Sequence, residues 1–403
     1  MSADWCNGPT KANAYFIDYK LNLFSNFTYF LDDPINGNQF EQEDDRRVYG
    51  GSITHDWHNH FANVKLEQSA GIQARYDDID SVALFNTRNR QRLSTTRQDA
   101  VEQASTGVWW QGAWQTTKQL RTTLGLRANY YDFKVDSDNA LNSGSANDVI
   151  VSPKLNLAYL VNPNTELYLS LGRGFHSNDA RGTTITVDPK TADAVSRVDP
   201  LVSAKGGEIG IRATPVKNWQ TTLALFQLNL DSELLFIGDA GSTEASRPSK
   251  RVGVEWTNRY RPTDWLYIDA DFALSGAKFR DFDEAGDHIP GSINKTASMS
   301  VTAGREFGWY GSARFRYFGP RSLIEDNSQR SNSIFFTNAR VGYRLDKRFN
   351  VAMDVLNIFD SNDHDIDYFY TSRLQNESVD GVDDIHFHPV IPRNLRLSVQ
   401  YTY

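Results

Sequence analysis

Three groups of histidines are the residues whose type and spacing first invite a chemical reading. His55, His58 and His60 fall in HDWHNH, His386 and His388 in HFHP, and His176 heads a long polar stretch. Neutral imidazole is a common metal ligand. The spacing argues against a site, however. HDWHNH reads as a short turn, which cannot easily aim three rings at one point. HFHP on extended backbone puts two rings on one face, which is half a site. The acid-dense run 360–367, DSNDHDID, resembles a calcium loop but lacks the central glycine and the closing glutamate. It reads better as a solvated acidic loop. No GxSxG element or zinc-protease motif occurs. The expectation is therefore no catalytic residue, no metal site and no cofactor.

Composition bounds the remaining classes. The 403 residues carry a net charge of -8, with both signs spread along the chain and no basic block, which excludes nucleic acid as a partner. Cys6 is the only cysteine, so no intrachain disulfide forms. No run of 18 apolar residues exists, so no transmembrane helix is expected. Hydrophobic residues make up 39%, below the usual share, whereas 23 Phe, 18 Tyr and 9 Trp are many. That pairing suits a barrel with an apolar outer face and a polar lumen.

The elements that must position any site alternate with period 2 from end to end. Leu120, Thr122, Leu124, Leu126, Ala128 and Tyr130 share a face, opposed by Arg121, Thr123, Gly125, Arg127 and Asn129. The same pattern recurs at 252–260, 266–275, 309–318 and 394–403. Short connections fall near 56–59, 116–118, 162–164, 214–218, 261–264, 306–308 and 346–347. Long ones fall near 31–45, 77–99, 134–148, 177–203, 232–248, 277–291, 319–332 and 359–392. Eight long loops joined by seven short turns predict about sixteen strands in an all-β, antiparallel, up-and-down transmembrane β-barrel, with both chain ends on the short-turn side.

Size decides which face points inward. A closed sheet of about sixteen strands encloses a lumen too wide for side chains to fill. An arginine facing lipid near the midplane costs about 2–4 kcal/mol. Leu120, Leu124 and Leu126 therefore face lipid, and Arg121 and Arg127 face the lumen. Trp110, Trp114, Tyr130, Tyr159, Trp256, Tyr260, Trp309 and Tyr317 share the apolar parity, as expected of rings at the headgroup level.

The chain resembles the C-terminal barrel of TonB-dependent outer-membrane receptors. The carrying segments are Leu23–Leu31 with the following Gln39–Arg46, Gly174–Gly182 (GFHSNDARG), Ser249–Glu255 (SKRVGVE), Tyr317–Leu323 (YFGPRSL), Asp354–Asp360 (DVLNIFD) and Ile385–Pro392 (IHFHPVIP). The final strand, with Leu397, Val399, Tyr401 and Tyr403 on one face, looks like the terminal assembly signal of such proteins.

The resemblance implies an outer-membrane receptor for a scarce nutrient, such as an iron–siderophore complex or a cobalamin. Its partners would be outer-membrane lipid, the assembly machinery, a siderophore-like small molecule and the inner-membrane TonB complex. Family barrels have about 22 strands and a plugged lumen. Met1 to Lys11 carries no secretory signal, and no plug domain or transducer motif is found. The expectation is a single partial barrel over 1–403, with the plug and about six strands missing. A passive porin-like channel, a non-functional truncated receptor and an outer-membrane hydrolase with Ser, His and Asp near the rim are the alternatives.

In the family reading, ligand capture uses the long loops, with His176, Asn178, Asp179, Arg181, Arg321, His386 and His388 as candidates; Arg181 and Arg321 suit an anionic ligand. Arg127, Glu208, Arg212, Glu255, Asp269, Arg314, Arg316, Arg340 and Asp354 would line the lumen, where they either hold a plug or simply meet water.

Overall fold

The computed structural model describes residues 1–61, 64–237, 242–245 and 247–402, with 60, 61, 64, 234–237 and 242–245 as backbone only. In chain order the strands are β1 (Ser2–Asn7), β2 (Thr10–Ser25), β3 (Phe40–Phe61), β4 (Val64–Arg88), β5 (Gln91–Gln115), β6 (Leu120–Ser137), β7 (Gly144–Asn162), β8 (Thr165–Ser177), β9 (Leu201–Ala213), β10 (Trp219–Leu230), β11 (Leu234–Ile237), β12 (Ser242–Ala245), β13 (Ser249–Thr263), β14 (Leu266–Phe279), β15 (Lys295–Gly304), β16 (Gly308–Phe318), β17 (Ile334–Arg344), β18 (Phe349–Leu356), β19 (His364–Ser372), β20 (Val382–Pro389) and β21 (Asn394–Tyr401). One five-residue helix, α1 (Ala180–Thr184), lies between β8 and β9.

Among the described residues seventeen strands form one antiparallel sheet, each paired with the sheet's next strand along the chain. The small hairpins β11–β12 and β19–β20 stand apart from it. The wall thus has one strand more than the expected sixteen. The added strand is β1, which folds back on β2 through a turn at Gly8, whose φ of 57° suits glycine. It also corrects the placement of the N-terminus. Ser2 pairs with Tyr15 partway up β2, rather than at the short-turn end.

Several expected connections are strand. The stretch 77–99 is the top of β4 and β5, two 25-residue strands joined by a tight turn at Asn89–Arg90, both with positive φ. Likewise β3 begins within 31–45, and β6 and β7 occupy most of 134–148. HDWHNH is not a turn but lies on β3, with His55 opposite Ala70 and His58 opposite Glu67; the His60 side chain lies outside the described residues. For 31–45, 77–99 and 134–148 the physical reason is that these strands rise above the bilayer, where no apolar face is needed to make a strand; HDWHNH instead lies at the short-turn end, where β3 and β4 continue as a paired hairpin.

Register assigns the two faces. Leu126 pairs with Trp110 and Pro153, and Leu124 with Leu155, on the outer face. Phe16, Tyr49 and Tyr76 stand side by side in one row, with Phe16–Tyr49 ring centroids 5.2 Å apart. Trp57 lies eight residues below Tyr49 on the same face of β3, about 26 Å along the strand. Allowing for tilt, this matches the apolar band of a membrane barrel. Above the Tyr49 level the outer face turns charged, with Lys134–Glu102 at 2.7 Å and Arg47–Asp80 at 2.6 Å.

The inner face repeats one joint. Tyr15 lies over Gly50, Trp109 over Gly71, Tyr168 over Gly210, Phe226 over Gly253 and Tyr310 over Gly342, each pair directly cross-strand. A Cβ at Gly210 would stand 2.5 Å from the Tyr168 ring. Only glycine admits so close an approach. Each ring therefore lies flat on the wall instead of standing into the interior.

Candidate functional site

The long-loop end of the barrel carries the most densely built polar region. Above the membrane band, Ile79, Val101, Phe133 and Val135 form an apolar patch on the inner face, and Ala180 of α1 packs on it. The segment between β8 and β9 therefore folds inward against the wall. Asn142, 1% exposed, fastens it. Its Nδ2 donates to the Val187 carbonyl at 3.0 Å, and its Oδ1 accepts from the backbone N–H groups of Thr186 and Val187.

Around this patch lie four arginines and four aspartates, each paired at a spacing of i, i+2. Arg75 grips Asp77 with two bonds of 2.7 Å, Arg46 pairs with Asp44, Arg97 with Asp99, and Arg181 with Asp179 at 2.7 Å. Arg46 also reaches Asp77 at 4.0 Å. Asp77, Arg97 and Asp99 are all at most 3% exposed. Charges buried this deeply persist only when paired, and here four of each sign balance. At the N-terminus of α1, Asp179 accepts from the Arg181 backbone N–H at 2.9 Å. Burial pushes the Asp179 carboxyl up, but the charge and bonds of Arg181, with Arg97 beside it, outweigh this and hold it at about 2. Burial pushes the Arg181 guanidinium down, but Asp179, with Asp99 and Asp44 nearby, outweighs this and raises it.

Apart from Asp179 and Arg181, these ionic residues are not among the sequence candidates, because they lie in or beside 31–45 and 77–99, whose hydropathy reads as loop. A signal was present. On extended backbone, residues i and i+2 share a face, so RYD at 75–77, RQD at 97–99 and DDR at 44–46 each declare a paired strand.

Beside the network is a cavity of about 760 Å³, bounded by 28–40, the tip of β4–β5 and Pro189–Thr191. Half of its lining residues carry a hydroxyl or amide, and among the described residues Asp32, Asp33 and Lys190 are the charged ones.

The seven loop candidates do not converge on one point. His176, Asn178, Asp179 and Arg181 are grouped by the inward-folded segment. Asn178 is buried and donates to the Asp199 carbonyl at 2.6 Å. Arg321, His386 and His388 belong to a second cluster around β19–β20. There Arg321 donates to the Asp365 carbonyl at 3.1 Å and to Asp367 at 3.3 Å. His388 pairs with Asp365 at 2.8 Å, and His386 stacks on Tyr370 with centroids 3.9 Å apart. The Nε2 atoms of His176 and His386 and the Oδ1 of Asn178 are buried without a partner among the described residues. The acidic run 360–367 is used for bracing: Asp360 pairs with Arg393 at 3.3 Å, and Asp367 takes both Arg321 and His364. Among the described residues, no three His, Cys, Asp or Glu side chains gather around a metal-sized point.

Register places all nine wall candidates on the inner face. Arg127 donates to Asn129 at 2.8 Å. Glu208 accepts from the Tyr168 hydroxyl, and Arg212 pairs with Glu166 at 2.9 Å while lying over the Tyr168 ring at 4.2 Å. Asp269 faces Arg259 at 3.6 Å, and Arg340 grips Asp354 at 2.6 and 2.9 Å. Glu255, Arg314 and Arg316 stand free of bonds among the described residues, with Arg314 between Ser300 and Asn338. On β21, Leu397, Val399 and Tyr401 face outward opposite Met353, Val351 and Phe349; Tyr403 lies outside the described residues.

Solved structures share this architecture. The ferric-catecholate import receptor Fiu from K12 E. coli superposes with a TM-score of 0.72 at 13% identity, covering 98% of this chain and 62% of its own. The ferric yersiniabactin uptake receptor FyuA from Yersinia pestis gives 0.71 at 14% identity, over 99% of this chain and 60% of its own. The ferric citrate transporter FecA in its unliganded form gives 0.72 at 15%, over 99% and 60%. At such identity the likeness is one of fold, and the chain spans about three fifths of the length of these proteins. Residues 2–358 match the family described as TonB dependent receptor-like, beta-barrel, and to that family the chain belongs.

Proposed function

We propose that this chain is the membrane barrel of an outer-membrane receptor that takes up a scarce nutrient, such as an iron–siderophore complex or a cobalamin, driven by the inner-membrane TonB complex. The family match over 2–358, on a wall whose inner face is polar and charged, carries the reading. It draws support from the names of the similar structures, which are receptors and transporters for ferric chelates and, in another case, copper. No covalent chemistry is required. Ligand contact falls to His176, Asn178 and His386, whose buried polar atoms have hydrogen-bonding capacity to spare. Asp179, Arg181, Arg321 and His388 act through the loops they hold.

In this reading a plug domain fills the lumen and meets Glu255, Arg314 and Arg316. β1 and β21 each have a single strand partner among the described residues. A lipid-exposed edge is not tolerated in a bilayer, so both edges are paired in the membrane. The face bearing Leu397, Val399, Tyr401 and Tyr403 is what the assembly machinery reads.

The test is growth of a receptor-deleted strain on single iron or cobalamin sources with this gene restored. The reading expects rescue on one source, abolished when the TonB complex is also deleted. Rescue independent of TonB, with large single-channel conductance of the purified protein, would instead establish a passive pore.

A further inference from the structure

At the short-turn end, the outer face of β14–β17 is not a smooth apolar wall. A groove of about 520 Å³ opens there between Trp265, Phe307, Trp309 and Val341. Its floor is Ala303 and Gly311, which pair with each other across β15 and β16, so the groove is one to two strand spacings wide, about 5–10 Å. That width admits a hydrocarbon chain. Trp309 is 71% exposed and packs edge-on against Tyr343 at 5.2 Å, marking the headgroup level.

Arg305 lines the groove and, among the described residues, is the only charged residue that does. Among the described residues its side chain makes no ion pair or hydrogen bond, and the indole N–H groups of Trp265 and Trp309 have no acceptor. Three donor-bearing side chains thus line an otherwise largely apolar slot. A guanidinium flanked by indole N–H groups suits a phosphodiester.

We propose that this groove binds one glycerophospholipid of the leaflet on the short-turn side. One acyl chain lies along Ala303 and Gly311, and the phosphate accepts from Arg305, Trp265 and Trp309. Annular lipid elsewhere on the barrel exchanges freely. This molecule is held at both ends of its amphipathic structure and travels with the protein.

Native mass spectrometry of the purified full chain, delipidated and then titrated with phosphatidylglycerol, tests this. The wild type is expected to retain one lipid. Arg305→Glu, which opposes the phosphate, and Ala303→Leu, which fills the floor from the lipid side, should each lower the bound fraction about tenfold. Both sites face outward, so the thermal midpoint should stay unchanged. Equal retention in either variant, or no retained lipid in the wild type, overturns the proposal. Displacement by an equal concentration of inorganic phosphate also overturns it, because the slot would then be a phosphate site without a chain requirement.

Discussion

Arg373 and Phe30 are 343 residues apart in sequence, yet the Arg373 guanidinium donates to the Phe30 carbonyl at 3.3 Å and the Phe30 N–H donates to the Arg373 carbonyl at 2.9 Å. The connection between β18 and β21 therefore clasps the one between β2 and β3, joining the two ends of the wall above the membrane. Arg373 is 9% exposed and also holds the Glu377 carbonyl at 3.3 Å. Arg373→Ala should cost about 1–3 kcal/mol locally. Hydrogen exchange should rise in both 28–38 and 373–381. A rise in only one of the two segments would mean that they are not coupled.

The flat-lying rings make glycine obligatory beneath them. Gly210→Val should shift the urea midpoint downward by the equivalent of about 1–3 kcal/mol, because the new side chain meets the Tyr168 ring. Tyr168→Phe keeps the ring and loses only the bond to Glu208, so its effect should be smaller. The order of the two midpoints is the measurement that decides.

Leu126 and Arg127 are neighbours with opposite surroundings. Leu126→Arg should destabilise the barrel by about 2–4 kcal/mol, since the guanidinium enters lipid. Arg127→Leu should cost less, through the lost bond to Asn129. Folding titrations into lipid vesicles compare them directly, and equal effects would contradict the assignment of faces.

Asp179 gives the inward-folded segment a pH dependence. Its carboxyl is held at about 2, below the roughly 3.9 of an unfolded chain. A depressed carboxyl contributes stability that is fully present above about pH 4 and is lost as pH falls through 2. The contribution is on the order of 2 kcal/mol. A spin label at Thr191 should gain mobility between pH 4 and 2, and Arg181→Ala should make it mobile already at neutral pH.

The strand faces were legible in the sequence because a bilayer enforces them. Leu120 through Tyr130 alternate cleanly since one side meets lipid and the other a polar lumen. That rule fails above the bilayer. At 77–99 both faces of the hairpin carry charge, and alternation of hydropathy vanishes although the strands continue. The apolar patch of Ile79, Val101, Phe133 and Val135 even inverts the pattern, since it faces inward to receive Ala180. That contact joins residues remote in sequence, and no local spacing announces it. The loop histidines were visible as a type, but their stacking on Tyr370 and pairing with Asp365 depend on how β19 and β20 fold together.

The five rings seated on glycines also bear on movement through the barrel. A ring standing upright on a strand is a step that any passing surface must climb. Laid flat, the same ring offers its face, and the relief of the bore is lower at those five positions. In the proposed receptor, an insert sliding along the axis would meet these ring faces and the inner-face charges, Glu255, Arg314 and Arg316 among them. Around a plug such a bore would act as a plain bearing, with the stiffness kept in the wall and the withdrawal force set by exchangeable ionic contacts.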